Sequence, residues 1–222
     1  MKLFLDSANI EEIKKVEELG LLGGITTNPT LIAKNIKPGE DHKKILKEIC
    51  KITSVDILAE PVSTEYQKIV EESIELAKIS PQQIVAKIPL TSEGLMAVKK
   101  LSERKIKTAL TLIFSPLQAI VAGIAGVNYI CPFVGRLDDI GQNGMDLIRD
   151  IVTIYKNFSF KTKIIVASVR NTTHVLQSAL YGADAVTVPY KIIDEMLKHQ
   201  LTDAGIKKFL EDWSKVQKEV QK

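Results

Sequence analysis

Cysteine is nearly absent. The chain has two in 222 residues, Cys50 and Cys131, too few for a disulfide framework and without a C-x-x-C pair for metal or redox chemistry. Cys50 falls in a helical pattern and Cys131 in an apolar strand, so both are expected as buried free thiols. Aromatic residues make up only 5%, which argues against base-stacking surfaces. An excess of one charge is missing too: 30 basic residues are interspersed with 27 acidic ones, and no basic stripe marks a nucleic-acid binder. The opening MKLFLDSANIEE turns acidic where a signal peptide would stay apolar, and no apolar run is long enough for a membrane span. These absences imply a reducing, cytoplasmic setting with neither membrane nor nucleic acid as partner. The glycines form no G-x-G-x-x-G or P-loop pattern, and His42, His174 and His199 show no metal-ligand spacing. Neither a nucleotide cofactor nor a metal is called for.

What the chain does have is a repeated alternation of short β-branched runs and longer amphipathic stretches. Strands are expected at Lys2–Asp6, Gly24–Thr26, Ile57–Glu60, Ile84–Ile88, Lys107–Thr111, Val127–Pro132, Lys163–Ala167 and Ala185–Val188. Asn9 and Glu12 read as a capping box opening the first helix. Further helices are expected near Asp41–Ile52, Thr64–Ile79, Ser92–Glu103, Ser115–Ala125, Gly141–Asn157, Thr172–Tyr181 and Lys191–Lys198. Eight strand–helix units imply parallel pairing, for which right-handed crossovers allow an open doubly wound sheet or a closed barrel; eight units in this length favour a closed (β/α)8 (TIM) barrel, over a single domain covering residues 1–222. A last helix, Asp203–Lys222, exceeds what the barrel needs. Its apolar stripe of Ile206, Phe209, Leu210, Trp213 and Val216 either folds back onto its own barrel or docks on a neighbouring protomer. The sequence leaves both open.

Barrel enzymes place chemistry at the C-terminal ends of their strands. The polar residues there are Asp6, Asn28, Glu60, Lys87, Thr111, Arg136, Ser168 and Arg170. Lys87 stands apart, inside the apolar run Ile84-Val85-Ala86-Lys87-Ile88-Pro89. Strand alternation puts it on the face of Val85, and Ile84, Ala86 and Ile88 on the other. If the branched face meets the helices, Lys87 points into the barrel mouth, where a buried amine needs a lowered pKa or an acidic partner and becomes a nucleophile toward carbonyls. The alternative is a strand-end lysine reaching to solvent. Asp6 and Glu60 are either surface carboxylates or proton carriers around that amine. Arg136 and Arg170 either grip a phosphate through forked hydrogen bonds or form rim salt bridges to Asp138 or Asp139.

Six stretches taken together resemble the small transaldolase family, which also includes the fructose-6-phosphate aldolases. They are LFLDSAN at 3–9, GITTNPTLI at 24–32, VAKIPLT at 85–91, TLIFSPLQA at 111–119, PFVGRLDD at 132–139 and VASVRN at 166–171, with EDW at 211–213 extending the likeness into the last helix. The resemblance implies a (β/α)8 barrel of class I aldolase chemistry, with no metal or organic cofactor and with sugar phosphates as substrates. It implies Lys87 as the Schiff-base lysine and Asp6 in proton transfer and hydroxyl orientation. Asn28 and Ser168 would bind the three-carbon ketol, Glu60 with Thr111 would hold a relay water, and Arg136 and Arg170 would bind the phosphate. Glu60, Phe133 and Arg170 match the transaldolase branch, where the aldolases carry Gln, Tyr and a lysine. Ala109 and Cys131 depart from that branch, which often has Asn and Ser there. Each lost hydrogen bond is worth about 0.5–1.5 kcal/mol, enough to weaken retention of the ketol unit. The resemblance implies a transaldolase of the pentose phosphate pathway, with a fructose-6-phosphate aldolase as the alternative, and a homo-oligomer built as a pentamer or decamer.

Overall fold

A computed structural model describes residues 1–36 and 41–220. Eight strands, β1 (Lys2–Asp6), β2 (Gly24–Thr26), β3 (Ile57–Ala59), β4 (Ile84–Pro89), β5 (Thr108–Ile113), β6 (Tyr129–Pro132), β7 (Lys163–Val166) and β8 (Ala185–Val188), close in sequence order into a barrel. Every pairing is parallel, including β1 with β8. The expected (β/α)8 architecture with an added C-terminal helix is what the chain adopts.

Alternation along each strand divides the apolar residues into two layers. Ile84, Ala86 and Ile88 join the outer layer, packed against the helices with Ile13, Val16 and Ile49. Val85 joins a smaller inner cluster with Phe4, Leu58, Ala109, Cys131, Ile165, Ala167 and Ala185. Each buried Ile or Leu of the outer layer contributes about 1.5–3 kcal/mol. The inner layer mixes small residues such as Ala109, Ala167 and Ala185 with larger ones such as Phe4, Leu58 and Ile165, and a Cβ on Gly24 would lie 2.2 Å from the Phe4 ring. Gly24 is therefore what lets Phe4 fill the barrel floor.

Local departures from expectation have local causes. Asn9 caps the first helix, Ile10–Glu18, by accepting from the amides of Glu11 and Glu12. The reciprocal half of the box is absent, because the Glu12 carboxylate accepts from the Ser7 hydroxyl instead. A complete capping box forms at Ser115 and Gln118. The stretch expected as one helix from Gly141 begins at Gly144, with a short separate turn of helix at Gly135–Asp138. A helix at Pro29–Asn35 was not expected: Asn28 caps it and Pro29 opens it. Cys131 is buried as expected, whereas Cys50 is only partly so.

The last helix runs Gln200–Val220, and the final two residues of the expected span lie outside the described ones. Its stripe does not fold back on the barrel: Phe209 is 73% exposed and Trp213 61%. No helix among the described residues is long and apolar enough to cross a membrane.

Candidate active site

Lys87 projects from β4 inside the barrel, next to the inner-cluster residue Val85 and opposite Ala109 on β5. Its side chain is only 6% exposed, and its Nζ donates to Glu60 Oε2 at 2.6 Å. Glu60 follows β3 directly and is itself 14% exposed. The buried ammonium therefore has the acidic partner that burial demands, and the snorkelling alternative is excluded. Isolated charges at such depth would cost several kcal/mol each.

Above this pair opens a cavity of about 180 Å3, lined by Asp6, Asn28, Lys87, Thr111, Phe133, Arg136, Ser168 and Arg170, together with Thr26, Cys131, Ala167 and Thr187. Eight of the nine residues singled out from sequence thus share one cavity, and the ninth, Glu60, reaches it through Lys87. The Asp6 carboxyl is raised above the usual carboxylate range, chiefly by burial; the Thr26 hydrogen bond and the Lys87 charge pull the other way, and Glu60 adds repulsion. Burial likewise pushes the Cys131 thiol up to about 12, which keeps it protonated.

Thr111 sits just before an irregularity in β5, where the register to β6 shifts between Thr111 and Ile113 and Leu112 takes a left-handed φ of 57°. Bulges of this kind re-aim side chains beside functional sites. Thr111 Oγ1 is buried without a protein hydrogen-bond partner among the described residues, so it is available to a ligand or a bound water. Asn28 is half committed, since its Oδ1 accepts from the Leu31 amide at 2.9 Å and leaves the side-chain amide as the free donor.

The phosphate-binding candidates come from two loops laced together. Val134 and Gly135 donate their amides to the carbonyls of Ala167 and Ser168, both at 3.0 Å. Ser168 is left-handed at φ 59°, a backbone strain that clusters at binding sites. A Cβ on Gly135 would meet Ser168 O at 2.3 Å and Arg170 Nε at 2.5 Å, so glycine is what allows Arg170 to lie across the loop. Arg170 also forms a rim salt bridge, to Asp139 at 3.0 Å. Both partners are about half exposed, which makes the bridge weak and exchangeable. Arg136 makes no ion pair among the described residues. Phe133 is steadied edge-on by Phe114, ring centroids 5.7 Å apart.

Several participants carried no sequence signal. Thr26 and Thr187 read as ordinary β-branched strand filler, and only closure of the barrel brings them beside Asp6. His174, set aside as a metal ligand, accepts from the Arg170 amide through Nδ1 at 3.3 Å and meets Asp138 through Nε2 at 3.1 Å, fixing the loop that carries Arg170. Glu72 takes the amides of Val62 and Ser63 at 2.7 and 3.1 Å and the Ser63 hydroxyl, holding the loop that follows Glu60. Among the described residues, no group of three or more His, Cys, Asp or Glu side chains is arranged to hold a metal ion.

The family model described as Transaldolase/Fructose-6-phosphate aldolase matches residues 3–220. The chain is 52% identical over 218 residues to a "Probable transaldolase" of Thermodesulfovibrio yellowstonii, covering 98% of this chain and all of that one. It is 54% identical over 218 residues, with the same coverage, to a "Probable transaldolase" of Citrifermentans bemidjiense.

Proposed function

The chain belongs to the transaldolase/fructose-6-phosphate aldolase family, and from that premise we propose that it transfers a dihydroxyacetone unit between sugar phosphates through a Schiff base on Lys87. The observation that carries this reading is the buried Lys87–Glu60 pair facing the cavity, 2.6 Å apart. An amine beside a carboxylate that takes its proton is the arrangement carbonyl addition needs.

Lys87, having passed its proton to the site, adds to the C2 carbonyl of a ketose phosphate, and loss of water gives an iminium. The cationic nitrogen accepts the electrons of the breaking C3–C4 bond. Glu60, through a water shared with Thr111, takes the C4 hydroxyl proton, and an aldose phosphate leaves. The enamine stays on Lys87 and attacks a second aldehyde, and hydrolysis frees the new ketose and the amine. Sedoheptulose 7-phosphate and glyceraldehyde 3-phosphate would yield erythrose 4-phosphate and fructose 6-phosphate, the exchange of the pentose phosphate pathway. Asp6 moves a proton and orients hydroxyls, while Asn28 and Ser168 hold the ketol. Arg136 receives the phosphate, joined by Arg170 when it leaves Asp139. No organic cofactor or metal enters these steps. The setting is the cytoplasm, and the assembly is a homo-oligomer in which the exposed C-terminal stripe finds cover.

Borohydride reduction in the presence of fructose 6-phosphate should attach a three-carbon unit to Lys87. An adduct on another lysine, or none, overturns the assignment. A second reading, fructose-6-phosphate aldolase, is favoured by Ala109 and Cys131. Both are buried in the barrel interior beside Lys87, where Asn and Ser would add hydrogen bonds to the ketol. In that case the enamine takes a proton, and hydrolysis releases dihydroxyacetone. Rapid dihydroxyacetone release without an acceptor aldehyde identifies it.

A further inference from the structure

Thr187 lies on β8, on the opposite side of Asp6 from Lys87's strand, and has no place in the chemistry above. It is 2% exposed, and Thr26 beside it is 3% exposed. Thr187 Oγ1 is 2.6 Å from Thr26 Oγ1, and Thr26 Oγ1 is 2.7 Å from Asp6 Oδ1. Three adjacent strands of the closed barrel, β8, β1 and β2, thus present a continuous hydroxyl–hydroxyl–carboxyl chain at the cavity wall.

We propose that Thr187 is a positioning residue for Asp6, acting through Thr26 as the far end of a directional hydrogen-bond relay. The direction follows from proton counting. A threonine hydroxyl has one hydrogen to give. When Asp6 is ionised it only accepts, so Thr26 gives its hydrogen to Asp6 and Thr187 must give its own to Thr26. Each donor polarises the next, and the chain favours the carboxylate more than Thr26 would alone. When Asp6 is protonated the chain can run the other way, with Asp6 donating to Thr26 and Thr26 to Thr187. The relay thereby holds the carboxyl in one rotamer in both protonation states, which a group that gives and takes a proton during turnover requires.

Other charges also act on Asp6. Lys87 from β4 favours its anion and Glu60 after β3 disfavours it. The Cys131 thiol on β6 senses the same field. Arg136 and Arg170 line the cavity from the loops after β6 and β7. Thr187 differs from all of these in carrying no charge, so removing its hydroxyl alters the relay and leaves the field in place.

The proposal rests on Asp6 having the proton-transfer role given above, and the test separates the two. Thr187→Val keeps the shape and removes the hydroxyl; Thr187→Ser restores it. In Thr187→Val the acid limb of the kcat/KM profile for sugar-phosphate transfer should move to higher pH by about a tenth to half a unit, the share of the Thr26–Asp6 bond that polarisation by Thr187 supplies. Thr187→Ser should return it, and both variants should still form the reduced adduct on Lys87. Independently of activity, the gap in Tm between wild type and Thr187→Val should widen as pH rises through the titration of Asp6, because the Thr26–Asp6 bond that favours the anion loses the donor that polarises it. An unmoved acid limb together with a pH-independent Tm gap would reduce Thr187 to packing and overturn the relay. If Thr187→Val does not fold, the comparison of wild type with Thr187→Ser and Thr187→Ala is read the same way. If wild type itself forms no Lys87 adduct, the proposed reaction fails, while the Tm gap still decides the relay.

Discussion

Both ends of the barrel interior carry a lysine–carboxylate pair of nearly equal length, and only one of them has the makings of a reactive site. At the C-terminal end Lys87 meets Glu60 at 2.6 Å; at the N-terminal end Lys107 meets Asp56 at 2.7 Å. The lower pair is saturated: Lys107 also donates to Gln82 O at 2.6 Å, and Asp56 also accepts from the Tyr129 hydroxyl at 2.6 Å. Tyr129 is held protonated by burial and by that bond. The lower lysine is also the more exposed, at 37% against 6%. The upper pair has a cavity above it, the Thr111 hydroxyl, unpartnered among the described residues, and a third ionisable group in Asp6. A close ion pair does not by itself mark a site. What marks this one is burial without saturation, beside room for a substrate.

The comparison breaks most cleanly at the lysines. Lys87→Met should lower transfer by roughly 10⁴-fold or more, as removal of a covalent nucleophile does. Lys107→Met should leave turnover intact and lower stability by about 1–2 kcal/mol, since it unpairs Asp56 at a partly exposed position. Steady-state assays and thermal melts on the two variants check this, and a large activity loss in Lys107→Met would erase the distinction between the ends. Next in size is Glu60→Gln, which keeps the shape and removes the base. It should cost about 10²–10³-fold in kcat, with the Lys87 adduct still trapped but more slowly.

The carboxylates sharpen the contrast through pH. Asp6 has a folded-state pKa raised above its ordinary value, mainly by burial. The stability linked to it is therefore fully present below the ordinary Asp pKa and is lost as pH rises through the folded value. Asp6→Asn removes that loss, so its Tm relative to wild type should climb with pH over that window while activity falls. Asp56→Asn should instead lower Tm at neutral pH, because a saturated anion is replaced by a weaker acceptor. Melts of both variants over a pH series test the pair, and a Tm for Asp6→Asn that tracks wild type at every pH would contradict the burial argument.

The fold was legible because alternation and β-branching are local. Ile84-Val85-Ala86-Lys87-Ile88 declares both its strand and its two faces without any long-range information. The charged members of the site were legible for a related reason, since Lys87 and Glu60 are out of place in apolar runs. The relay was not legible. Thr26 and Thr187 are 161 positions apart, and as β-branched residues they are ordinary strand components until β8 closes beside β1 and β2. The Pro29–Asn35 helix escaped because its single buried residue, Ile32, leaves no period to read. The bulge at Leu112 escaped because nothing in Thr-Leu-Ile announces a left-handed residue. His174 escaped because its work is done through one backbone amide and one carboxylate, neither of which a ligand-spacing search looks for.

The smallest effect concerns Cys131, which lies in the wall of the cavity beside Lys87 and is 1% exposed. Its thiol stays protonated and is a weak donor, so it contributes packing more than hydrogen bonding. Cys131→Ser exchanges it for a stronger donor in nearly the same volume. If the ketol unit is held partly from this wall, the new bond should stabilise the enamine by about 0.5–1.5 kcal/mol, slowing dihydroxyacetone release relative to transfer by about 2–10-fold. In the free enzyme the same hydroxyl is buried with less to bond to, so a small loss of Tm should accompany the gain in retention. The check is the ratio of transfer to cleavage for wild type and Cys131→Ser on the same sugar phosphates. An unchanged ratio would place the ketol away from β6 and leave its polar hold to Asn28 and Ser168, with Asp6 orienting its hydroxyls.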